Sequence, residues 1–159
     1  MYLEVPFLPF IVLIGDVSKG VDTLVYTRLK RTQVRDNHEM PTINISYKVP
    51  SANVSEVEDA LKAHAEHMRT SYPADNPRGD NPLDAYFTKA EELNNPTNPA
   101  DGTTGNIIFT LNEKWSQVEH IQTHIDRTLG ASHAEKFMAT IQAYATVSVM
   151  GEIFYDMNG

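Results

Sequence analysis

The chain of 159 residues has a net charge of −8 and no cysteine. Without cysteine it cannot form a disulfide, a thiolate metal site or a cysteine nucleophile. An acidic chain without a basic, aromatic-rich stripe argues against nucleic acid as a partner. The apolar run over 7–15 is too short to span a bilayer and lacks a basic leader. We therefore predict a soluble, cytoplasmic protein without membrane contact.

Two apolar segments near the N-terminus predict a β-hairpin. Residues 10–15 and 23–29 are rich in β-branched and aromatic side chains, and a glycine-containing turn region separates them. A polar stretch over 34–41 is typical of a linker. We predict an N-terminal hairpin extension over 1–38 and a main domain over 39–159. An apolar hairpin of this kind would cover a sheet edge or a partner subunit.

The main domain opens with a predicted strand and helix. Over 42–49 apolar and polar side chains alternate strictly, as in a half-buried strand, with Asn44 on the polar face. Ser55 and Glu58 then predict a capping box at the start of a helix that continues to about residue 72.

Two further strands are predicted after that helix. Three prolines make residues 73–82 a loop. Residues 83–90 predict a strand from their place in the chain order, although a short helix also fits their composition. A second loop covers 94–105, and the β-branched and aromatic residues over 106–111 predict the next strand.

An amphipathic helix is predicted just beyond Trp115. Ser116 and Glu119 form a candidate capping box. Apolar side chains then recur at helical spacing, and His124 lies about 100° from the centre of their stripe, at the edge of the buried face. Gly130 interrupts the helix.

A further helix and a final strand complete the chain. Ser132 and Glu135 predict a new helix start, with the helix continuing to about residue 145, and residues 147–155 predict a strand. From residue 42 the order is β-α-β-β-α-β, an α+β arrangement of the ferredoxin-like kind.

The spacing of Glu113, Trp115 and His124 resembles that of the antibiotic-biosynthesis-monooxygenase family of dimeric α+β barrels. The family consensus reads much like E-x-W-x-S-x-x-A-x-x-x-H, and Ser116 stands one position from its serine. The resemblance implies a homodimer in which two sheet faces close a barrel. In heme-degrading enzymes of the same superfamily an Asn, a Trp and a His shape the pocket, and the resemblance assigns these places to Asn44, Trp115 and His124.

The main hypothesis is a cofactor-independent monooxygenase for a small aromatic or quinol-like substrate. Trp115 would stack on the substrate, Asn44 would hydrogen bond to it, and His124 would take a phenol proton. The resemblance also extends to heme-degrading enzymes.

Two alternatives remain open. His64 and His67 lie one turn apart on the first helix, and His120 and His124 lie one turn apart on the second. Such pairs can bind heme or a divalent transition metal. The other alternative is a dimeric binding module without catalysis, because folds of this kind recur without chemistry.

Overall fold

The structure is a computed structural model that describes residues 40–155 and the backbone of two short strands near the N-terminus. These strands, Phe10–Ile11 (β1) and Tyr26–Thr27 (β2), pair antiparallel. The rest of the predicted hairpin lies outside the described residues. The division into an extension and a main domain therefore stays a prediction.

The main domain is built on one four-stranded sheet. Its strands are β3 (Pro41–Pro50), β4 (Asp84–Leu93), β5 (Thr103–Lys114) and β6 (Ala145–Glu152). They lie in the order β4-β5-β3-β6, and every neighbouring pair is antiparallel. Residues 84–90 of the predicted segment are thus part of a strand, because pairing along β5 outweighs their weak local propensity.

Three helices connect these strands, namely α1 (Val54–Ser71), α2 (Val118–Leu129) and α3 (Ala134–Tyr144). The second helical connection is therefore broken in two, at the predicted interruption. This order and sheet topology confirm the predicted α+β fold of the ferredoxin-like kind. Among the described residues, no helix combines the length and apolar character needed to cross a membrane.

The two faces of β3 have different surroundings, as the alternating pattern predicts. Tyr47 and Val49 are buried in a hydrophobic core together with Val57 and Leu61 of α1 and Phe137 of α3. Even-numbered residues lie on the opposite face, which no described helix covers. Apolar side chains on that open face, including Tyr86, Val147 and Val149, are about half exposed.

The three predicted capping boxes are wrong. The helices begin after Asn53, Gln117 and His133, and none of these residues accepts a side-chain capping bond. A short 3₁₀ turn over Ser51–Asn53 leads directly into α1, so that Ser55 already lies inside the first helical turn. Ser116 instead pairs through its hydroxyl with His120 Nδ1 at 3.0 Å.

Candidate functional site

Three titratable side chains from three elements meet beneath the helices. His64 comes from α1, Glu113 from the end of β5 and His124 from α2, and we call them the buried triad. Their exposed fractions are 1%, 3% and 3%. Charged and titratable groups are seldom buried this deeply without partners, so the contacts of each atom decide what the triad can do.

Both histidines point one nitrogen at the same carboxylate oxygen. Glu113 Oε1 lies 3.6 Å from His64 Nε2 and 3.5 Å from His124 Nε2. The other carboxylate oxygen, Oε2, accepts a hydrogen bond of 3.0 Å from Trp115 Nε1. Oε1 has no hydrogen-bond partner among the described residues, although it is completely buried.

The remaining imidazole nitrogens are held from outside the triad. His64 Nδ1 lies 3.1 Å from His133 Nε2, and His124 Nδ1 lies 3.2 Å from the hydroxyl of Tyr72. With Nδ1 as the donor in each pair, each Nε2 carries its lone pair towards Glu113. The two outer contacts therefore fix the orientation of both rings.

Burial sets the protonation of the triad. Desolvation lowers the pKa of His64 to about 3 and that of His124 to about 4, although the Glu113 carboxylate favours the charged form of His124. The pKa of Glu113 is raised, again chiefly by desolvation. At neutral pH the two histidines are neutral and their lone pairs are available to a proton or a cation.

Trp115 is a core residue and a member of the site at the same time. Its side chain is fully buried, packing with Met68, Tyr72 and Ile121. Its ring centroid lies 5.1 Å from that of His124. Trp115 and His124 thus lie together in a region closed to solvent.

Asn44 does not join them. It lies on the open face of the sheet, where its amide donates to Asn112 Oδ1 over 3.0 Å. There it helps to line a cavity of about 340 Å³, together with Tyr86 and Phe154. The predicted grouping of Asn44 with Trp115 and His124 is therefore not formed. Side chains along a strand alternate between the two faces of the sheet, and Asn44 points to the face opposite the helices.

The four helix histidines separate into different environments. His64 and His124 face each other at a ring-centroid distance of 5.4 Å. The His67 ring lies tilted against that of His133, with centroids 4.8 Å apart, and its buried Nε2 has no hydrogen-bond partner within the described part of the chain. His120 is bound to Ser116. Of the four histidines predicted as a metal-binding set, His64 and His124 converge. Glu113 is the carboxylate that lies beside both of them.

Sequence reasoning did not assign a ligand or proton-transfer role to Glu113, Tyr72 or His133. One usable signal was the two-residue spacing of Glu113 and Trp115, which puts both on one strand face. Tyr72 and His133 come next to the site only because α1, α2 and α3 pack together.

A polar loop covers the Tyr72 side of the site. Arg127 of α2 donates to Asp80 Oδ2 over 2.6 Å, and its guanidinium lies 5.3 Å from the centre of the Tyr72 ring. Asp80 also accepts from Asn76 and Arg78 within the same loop. The loop after α1 is therefore tied to α2 next to the triad.

Fold and site together define a ferredoxin-like α+β protein with a buried pair of histidines and a carboxylate. No family model and no curated protein matches the sequence. Several solved structures similar to this chain are named as antibiotic biosynthesis monooxygenases, the family whose motif the spacing of Glu113, Trp115 and His124 resembles.

Three of these structures illustrate the extent of the similarity. A candidate antibiotic biosynthesis monooxygenase from Nitrosomonas europaea is 11% identical, with 77% of this chain and 97% of that chain covered and a TM-score of 0.45. A counterpart from Caulobacter crescentus CB15 is 13% identical over 75% and 92%, with a TM-score of 0.44. SnoaB from Streptomyces nogalater, a cofactor-independent oxygenase, is 12% identical over 76% and 95%, with a TM-score of 0.40. At such identities the likeness does not assign an activity.

Proposed function

We propose that this protein is a monooxygenase for a small aromatic or quinol-like substrate, with His124 as the base. The observation that carries the proposal is the orientation of His124, whose Nδ1 meets the Tyr72 hydroxyl and whose Nε2 faces Glu113. A neutral imidazole held by Tyr72 at Nδ1 keeps its Nε2 lone pair free to accept a phenol proton. The nearby indole of Trp115 offers an aromatic wall.

The reaction needs no organic cofactor if the substrate supplies the electrons. His124 would take the acidic proton of a phenol or anthrone, and the resulting carbanion would reduce O2. The balanced change converts CH2 and O2 into C=O and H2O, and all four electrons come from the substrate. Glu113 would stabilise the imidazolium formed in the first step.

Substrate entry requires movement at the covered side of the site. His124 is 3% exposed, and an ion pair between Asp80 and Arg127 joins the loop that follows α1 to helix α2. We expect this tie to open when the substrate enters, as happens for loops that close over other active sites. Homodimer formation belongs to the same proposal, because the open sheet face would then be covered by a second copy.

Oxygen consumption by purified protein tests the proposal. With a panel of quinols and anthrones, the wild type should consume O2, and His124→Gln should reduce the rate by about 100-fold or more. His120→Ala is the matched control, because His120 lies on the same helix one turn away and contacts Ser116 instead of the triad. Absence of O2 consumption by chelator-treated protein with every substrate would reject the oxygenase and favour the binding module.

A further inference from the structure

We propose that His64, Glu113 and His124 form a binding site for one divalent transition metal ion. Its protein ligands would be two imidazoles and one carboxylate. The site differs from the four-histidine set that the helix spacing suggests, because the third ligand is a carboxylate from β5. The inference concerns metal binding itself and does not rest on the proposed oxygenase activity.

The distances between the three groups favour a shared cation over direct hydrogen bonds. At 3.5 and 3.6 Å, the contacts from Glu113 Oε1 to the two Nε2 atoms are too long for good hydrogen bonds. Ligands at about 2.0–2.2 Å from a tetrahedral ion lie roughly 3.4 Å from one another. The three ligand atoms all lie within 4.8 Å of one another. The spacing is therefore that of atoms arranged around an ion.

The unsatisfied carboxylate oxygen is the independent observation that points to a ligand. Glu113 Oε1 is buried and has no hydrogen-bond partner among the described residues. Leaving such an atom unpaired is unfavourable, and more so when the group carries a charge. A cation placed between Oε1 and the two imidazole lone pairs would satisfy all three atoms at once.

The groups around the triad match those that orient metal ligands elsewhere. Histidine ligands usually donate their second ring nitrogen to a fixed partner, and ligating carboxylates are hydrogen bonded in turn. Here Tyr72 meets His124 Nδ1, His133 meets His64 Nδ1, and Trp115 donates to the second oxygen of Glu113. Each ligand thus has one outer contact that leaves its inner atom free.

The donor set selects the class of ion. Two imidazoles and one carboxylate suit zinc or iron(II), whereas calcium and magnesium prefer oxygen ligands. Binding would occupy the His124 lone pair that the proposed oxidation uses, so the metal-loaded protein should not carry out the metal-free reaction.

Cobalt(II) and zinc(II) titrations of the chelator-treated full chain test the site. We expect about one Co(II) per chain with visible ligand-field absorption, displacement by Zn(II), and a higher Tm in the presence of Zn(II). Glu113→Gln should weaken Zn(II) binding by more than about 100-fold, and Tyr72→Phe by about 10–100-fold, because the latter removes only an outer contact. His120→Ala should bind like the wild type.

X-ray absorption of the zinc-loaded wild type provides a readout that does not depend on variant folding. It should show two imidazole ligands and at least one oxygen ligand. The proposal is overturned if zinc does not bind, if it binds without imidazole, or if His120→Ala weakens binding as much as Glu113→Gln. Failure of metal binding would leave the O2 measurements unaffected, so the two proposals fail separately.

Discussion

Trp115 Nε1 donates a 3.0 Å hydrogen bond to Glu113 Oε2, and both side chains are buried. The indole therefore satisfies one oxygen of the carboxylate and leaves the other to face two histidines. This single contact links the hydrophobic core to the polar site. Its energetic consequences can be measured without knowing the substrate.

Replacement of Trp115 by Phe should destabilise the protein. The change removes the donor to Glu113 and leaves a gap in a fully buried position, which together should lower the free energy of unfolding by about 2–5 kcal/mol. Chemical denaturation of Trp115→Phe, Glu113→Leu and the double variant measures the coupling between the two residues. A coupling energy near zero would show that the hydrogen bond contributes nothing beyond packing.

Replacement of Tyr47 by Phe should leave stability unchanged or raise it by about 1 kcal/mol. Tyr47 is fully buried, and its hydroxyl has no hydrogen-bond partner among the described residues. Burial raises the pKa of this phenol, consistent with poor solvation of its charged form. Tyr72→Phe is the matched control, since its hydroxyl contacts His124 and its loss should cost about 1 kcal/mol. Equal losses in the two variants would contradict this account.

Acid should weaken the Asp80–Arg127 ion pair, which joins the loop that follows α1 to helix α2. Hydrogen bonding by Arg127, above all, holds the pKa of Asp80 well below its ordinary value. A depressed folded-state pKa means that the stabilisation is complete above the unfolded value of about 3.9 and is lost as the pH falls towards the folded value. Tm measured between about pH 6 and pH 2 should therefore fall more steeply for the wild type than for Asp80→Asn.

An exposed acid serves as the control for that experiment. Asp84→Asn alters a solvent-exposed carboxylate at the start of β4 and should leave the wild-type slope of Tm against pH in place. Identical slopes for the wild type and Asp80→Asn would show that the Asp80–Arg127 pair does not contribute to acid sensitivity.

Val149→Lys tests the expected homodimer. Val149 lies opposite Asn44 on the open sheet face and is 49% exposed. If two copies cover each other there, a buried lysine charge should shift sedimentation from dimer to monomer. Val118→Lys, at a 41% exposed position on α2, should keep the wild-type mass. A monomeric wild type would contradict the expected dimer directly.

Local patterns in the sequence were sufficient for the two faces of β3 and for most of the order of elements. The strand over 83–90 had to be placed from the chain order, because its composition also fits a short helix. Strict alternation over 42–49 even placed Asn44 opposite the apolar residues, in conflict with its expected grouping with Trp115 and His124. The resolution of that conflict required the helices, which pack on the Tyr47 side of the sheet. The predicted capping boxes failed for a different reason, because a capping bond depends on how the chain enters the helix from the preceding turn.

The buried triad was decided by tertiary structure alone. His64, Glu113 and His124 lie on α1, β5 and α2, and nothing in their sequence spacing specifies that their side chains meet. Packing of both helices on one sheet face brings them together, and the same packing removes water from around them. Sequence supplied the residue types, whereas the distances and burial that give them a chemistry arise only from contacts between distant segments.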